Sequence, residues 1–180
     1  MSAEVATAEV STAHSGPPVS LGSAVLQILV GVAAITGFVW LCSALGLVSL
    51  YAGFLLVWYW ATVDKLDFKL APATIVGAIG GAATAWAYQL ATQAGSRAGM
   101  IAVLLVVLVA AFLQTMQYLP FLFNASYMLF LTVGFAPLIQ GGEQFQKFSL
   151  TILISAIYFG GLIFIGTRLA AANAARRAPG

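Results

Sequence analysis

Apolar residues run along this chain in long unbroken stretches, separated by short segments that carry its glycine breaks, prolines and charges. Between successive ionisable side chains lie residues 15–63, 70–96, 98–142 and 148–167, stretches of 49, 27, 45 and 20 residues. A helix crosses the roughly 30 Å hydrocarbon core of a bilayer in about 20 residues. The two long stretches therefore each fold back once. In the first, SALGLVS (43–49) sets Gly46 between two serines and divides a span near 22–43 from a shorter one near 48–63. In the second, Tyr118-Leu119-Pro120 makes the break, since proline lacks an N–H and disfavours helix in the residue before it. Spans near 99–118 and 121–140 follow. One more is predicted near 71–93, opened by Pro72 in its first turn, and a last near 148–168. The pattern predicts an all-α integral membrane protein with six transmembrane helices.

Composition agrees. Of 180 residues, 62% are hydrophobic and 7% charged, with a mean hydropathy of +1.02. A soluble domain carries about 25% charged residues over its surface. Residues 1–20, rich in Ser, Ala, Thr and Pro, have no apolar face to bury and read as a disordered tail. The transmembrane domain is expected over 21–168, and 169–180 reads as a basic tail. With six spans, Lys65, Lys69, Arg168, Arg176 and Arg177 share one side, and Arg97 and Lys147 lie on the other. The positive-inside rule then places both termini in the cytoplasm of a bacterial inner membrane.

The ionisable residues are too few and too scattered for most chemistry. The single histidine is His14, the single cysteine is Cys42, and the acids are Glu4, Glu9, Asp64, Asp67 and Glu143. No nucleophile–base pair or metal-ligand cluster can be assembled from them within a membrane. The expectation is a protein that is not an enzyme, binds no cofactor, metal or nucleic acid, and acts in the lipid bilayer as a homo-oligomer or beside another membrane subunit.

The stretches alternate long, short, long, short, as two copies of a three-span unit would. LYAGFLLV (50–57) aligns with FNASYMLF (123–130) at an offset of 73, pairing Ala52 with Ala125 and Gly53 with Ser126. Each is followed by a charged loop and a helix carrying a Gly-Gly pair, Gly80-Gly81 and Gly160-Gly161. Halves of about 21–93 and 99–168, each with an odd number of spans, would insert in opposite senses, giving a 3+3 inverted repeat. Six unrelated spans are the other reading. Under the repeat, the second and fifth spans occupy matching positions and are short or interrupted. That is where unwound backbone offers polar groups to a solute.

No charge falls at the centre of a span, whereas a coupled ion needs a group at mid-depth. The neutral polar residues Gln114, Asn124 and Ser126 flank the Pro120 break, and the aromatic residues Tyr51, Trp58, Phe121 and Phe123 lie near them or in the second span. Together these are the candidate substrate pathway, with the amides as solute contacts and the rings as a sieve. Hydrogen bonding between helices and an interfacial aromatic belt account for the same residues without a solute. In the third span, Gly77, Gly81 and Ala85 recur every four residues, a face for close helix packing within the bundle or against another subunit. Glu143 and Lys147, four apart, are expected to pair.

Through GLVSLYAGFLLVWYWA (46–61) and FLQTMQYLPFLFNASYMLFLTVGFAPLIQGGE (112–143), the chain resembles a family of small multi-span inner-membrane proteins grouped as a domain of unknown function. The family's layout is a glycine turn opening the second span and a Pro- and Gly-containing fifth span. This chain lacks part of the family's Pro-Gly start to that fifth span. The resemblance covers about 45–165 and implies no activity and no functional residue. A remoter likeness, at the level of fold alone, is to urea-type channels built from inverted repeats. The function expected is a channel or facilitator for a small neutral or weakly charged polar solute. An accessory subunit docking through the glycine face, or an ion-coupled transporter using Asp64, Asp67 or Glu143, are the alternatives.

Overall fold

The computed structural model describes residues 21–142 and 144–177. The 1–20 tail and the Glu143 end of the expected Glu143–Lys147 pair lie outside them. The helices are α1 (Leu21–Ala44), α2 (Leu50–Thr62), α3 (Ala71–Gln93), α4 (Arg97–Thr115), α5 (Ala125–Gly134), α6 (Pro137–Gly142) and α7 (Phe145–Arg177), with no strand among the described residues. The chain divides into two compact units between Ile35 and Thr36. The described part of the first is the opening stretch of α1, whose Leu26, Leu29 and Val30 are exposed. The second unit holds everything discussed below.

Three helices are long and apolar enough to cross a membrane: α1, α4 and the Phe145–Ala172 part of α7. In α4 only Ala110 is buried, and Ile101, Leu105, Leu108 and Phe112 project outward. Such an all-round apolar surface suits hydrocarbon rather than water. The 23 residues of α3 are as long a helix, but Ala, Gly and Thr dominate them. It packs against α5, α4, α7 and α2, so protein rather than lipid surrounds much of it.

Local chemistry explains where the helices stop. After α1, Gly46 adopts φ of 65°, its N–H donates to Ser43 O, and the Leu47 N–H donates to Cys42 O. This is a Schellman cap, which needs a left-handed residue at that position. Gly95 repeats it after α3, with Ser96 N–H on Ala91 O. The Ser96 hydroxyl then caps α4 by accepting from the Gly99 N–H at 3.0 Å.

Two breaks differ from the sequence expectation. The fourth helix ends at Thr115, not 118, because Gln117 takes the left-handed position (φ 55°) and Tyr118 N–H returns to Leu113 O. The chain has therefore left the helix before Pro120 acts. The fifth span is not one helix over 121–140. Residues 120–124 are non-helical, α5 runs only ten residues, and a second break at Phe135-Ala136 separates it from α6. Pro137 causes that second break by disfavouring helix at Ala136 and lacking an N–H.

The core is formed where α2, α3, α5 and α7 meet. Small residues of α2 and α3 (Ala52, Ala78, Ala82, Ala85) lie against the large rings of Phe130, Phe145 and Phe148, and all are buried. At one end, the 63–70 loop folds back over the bundle. The Trp60 indole N–H donates to Asp67 O at 3.1 Å, and Phe68 packs edge-on against Trp60 with centroids 5.1 Å apart.

Candidate functional site

The N-terminus of α5 is docked onto α3 by side chains. Asn124 is the N-cap: its amide oxygen accepts from Tyr127 N–H at 3.0 Å, and its Nδ2 donates to Ala73 O at 2.8 Å. That one side chain thus satisfies a donor of α5 and a carbonyl of α3. Ser126, fully buried, donates to Thr74 O at 2.9 Å. One turn further on, the Thr84 hydroxyl donates to Gly80 O and pairs with the Tyr127 hydroxyl at 2.8 Å.

The glycine face of α3 makes this docking possible. A Cβ at Gly77 would meet the Asn124 amide, and one at Gly81 would meet the Tyr127 carbonyl oxygen. Ala85 approaches Gly134 in the same way. Gly77, Gly81 and Ala85 are thus filled by α5 and are not open to another subunit.

At the far end of α5, the break at Pro137 is bridged by Gln140. Its Nε2 donates to Gly134 O at 2.6 Å and to Ala85 O at 3.1 Å, and its backbone carbonyl accepts from Gln89 Nε2 at 2.9 Å. The break after α5 leaves the Gly134 carbonyl without a helical donor, and the Gln140 amide supplies one. The Gln140 Oε1 is buried and has no partner. Nothing in the spacing of residue 140 singled it out: it follows an apolar pair and precedes two glycines, as an ordinary turn glutamine would.

The candidate pathway residues do not converge. Asn124 and Ser126 hold α5 on α3. Gln114 is half-buried near the end of α4, where its carbonyl accepts from the Gln117 side chain. Phe121 is exposed, and Phe123 packs against Tyr127 with centroids 5.2 Å apart. Tyr51 and Trp58 do meet the fifth-span segment: with Phe54, Leu55 and Val133 they line an open groove of about 420 Å³ between α2 and α5. Every wall of that groove is apolar. Among the described residues, no three His, Cys, Asp or Glu side chains come together.

No family model, curated protein or solved structure matches the chain.

Proposed function

We propose that this chain is a homo-oligomeric membrane facilitator for a small neutral or weakly charged solute, with α2 and α5 as the pathway elements. One observation carries the reading. The 13 residues of α2 and the 10 of α5 reach only about 20 Å and 15 Å, short of a core of about 30 Å, yet long apolar helices accompany them. Interrupted helices persist at membrane depth only when protein buries them or water lines them. The groove between them, walled by Tyr51, Trp58 and Val133, is the path that a neighbouring copy would close.

Six passages are counted by taking α5 and α6 as one, with both termini on the side of Lys65, Lys69 and Arg168, the cytoplasmic side of a bacterial inner membrane. The packing order supports the inverted repeat. The second helix of each half lies on the third helix of the other: α5 on α3 and α2 on α7. The matched positions Gly53 and Ser126 each bond to the third helix of the other half, in opposite senses: Gly53 O accepts from Ser155 Oγ at 2.8 Å, and Ser126 Oγ donates to Thr74 O at 2.9 Å.

Proteoliposome flux of urea, acetamide and glycerol tests the function. Val133→Trp, which fills the groove, is expected to cut flux at least fivefold in protein that still elutes as a folded oligomer. Flux no greater than in empty liposomes for every solute rejects the reading.

A further inference from the structure

Beneath the folded-back 63–70 loop lies a second cavity, separate from the α2/α5 groove, with a volume of about 110 Å³. Its walls include Leu56 and Trp60 of α2, Phe68 of the loop, Ile75 of α3 and Ala156 of α7, and its one side-chain hydroxyl is that of Thr74. Thr74 is 95% buried, and its hydroxyl donates to the carboxylate of Asp64. A hydroxyl whose proton is committed to a carboxylate presents only lone pairs on its other side. The cavity therefore has a single polar feature, an acceptor backed by a negative charge.

We propose that this cavity binds a compact alkylammonium ion, its N–H on the Thr74 oxygen, its charge balanced by Asp64 and its alkyl group against Leu56, Ile75 and Ala156. Size sets the class: a cavity of about 150 Å³ takes benzene, so one of 110 Å³ takes four or five non-hydrogen atoms. The walls exclude a hydrated inorganic cation, because they offer no further oxygens to replace its water. Electron-rich rings favour the same charge, and Trp60 and Phe68 supply two of them. Lys65, next to Asp64, has its ammonium on Thr62 O at 2.5 Å. Trp60 and Phe68 also form the lid, pinned through the bond from the Trp60 indole to Asp67 O. The site rests on the cavity and its polar wall, not on the facilitator reading.

The test is calorimetric titration of the full chain in phosphatidylcholine nanodiscs with isopropylammonium chloride, with sodium chloride and 2-propanol as controls. Saturable binding of isopropylammonium is expected, at least tenfold tighter than that of 2-propanol, which has the same shape and a neutral donor. Thr74→Val and Asp64→Asn are each expected to weaken it at least tenfold, Ala156→Leu to abolish it, and Thr74→Ser to keep it within threefold. Absence of saturable binding overturns the proposal, as does equal affinity for 2-propanol. Both comparisons use the unaltered protein and hold even if a variant fails to fold. Binding that survives both Thr74→Val and Asp64→Asn overturns it too.

Discussion

The side chain of Asn124 occupies the space that Gly77 leaves empty, so the helix that lacks a side chain and the helix end that needs a cap are fitted to each other. One turn along, Gly81 faces not a side chain but the Tyr127 carbonyl oxygen. The two glycines should therefore respond to the same substitution by different routes. An amide can rotate away from a new methyl group, here only by giving up its bonds to Tyr127 N–H and Ala73 O, whereas a helix backbone moves only as a unit. Gly81→Ala and Gly77→Ala are each expected to cost about 1–3 kcal/mol, the first by overpacking and the second through the displaced Asn124 amide. Gly161→Ala, which meets nothing within 4 Å, should be neutral or stabilising by up to about 1 kcal/mol. Thermal unfolding in detergent, followed by tryptophan fluorescence, separates the first two from the third.

Asn124 has two separable jobs. Asn124→Asp keeps an oxygen for the Tyr127 N–H and loses the donor to Ala73 O, whereas Asn124→Ala loses both. The alanine variant is expected to lose about 1–3 kcal/mol, an N-cap plus the inter-helix bond to Ala73 O. The aspartate variant should fall between it and the parent. Equal stability of all three in the same unfolding assay would contradict the docking role.

The Gln140 amide bridges the Gly134 and Ala85 carbonyls beside the proline break. Gln140→Leu leaves the Gly134 and Ala85 carbonyls without that donor and is expected to cost about 1–3 kcal/mol. The loss should be local. Hydrogen exchange measured by mass spectrometry should quicken over 131–142 while peptides from α4 stay unchanged.

The helices and most of their ends could be read from the sequence because glycine, proline and charge act locally. Gly46 and Gly95 are left-handed caps, and α2 ends close to its expected limit. The early end of α4 could not be read, because it depends on Gln117 adopting a conformation that glutamine rarely takes. The second break of the fifth span had a visible cause in Pro137, but in membranes proline is often tolerated within a helix. Whether it breaks α5 depends on Gln140 being close enough to give the Gly134 carbonyl a donor. The candidate amides illustrate the same limit. Asn124 and Ser126 stand at the interruption, as a solute site would require, yet their hydrogen bonds go to Ala73 and Thr74 of a helix fifty residues away in sequence. Side-chain identity gives the bonding capacity, and only the packing of α3 on α5 decides how it is used.

Ser126→Ala and Ser155→Ala each delete one hydrogen bond between the halves. Hydrogen bonds between membrane helices average about 0.6 kcal/mol and reach about 1.7. Each variant should fall in that range. A loss above about 2 kcal/mol, or no loss, in steric-trap or detergent unfolding would argue against an ordinary inter-helix bond at that residue.

The bond from Ser155 to Gly53 also has a bearing on biosynthesis. Its partners are 102 residues apart, and at translation speeds of about 5–20 residues per second the helix that receives α2 emerges about 5–20 s after α2 itself. Through that interval α2 can reach the bilayer but cannot find its mate. The short second helix must wait among lipids or insertase surfaces, and a ribosome stalled before α7 should leave a nascent chain that proteases still cut near the 63–70 loop.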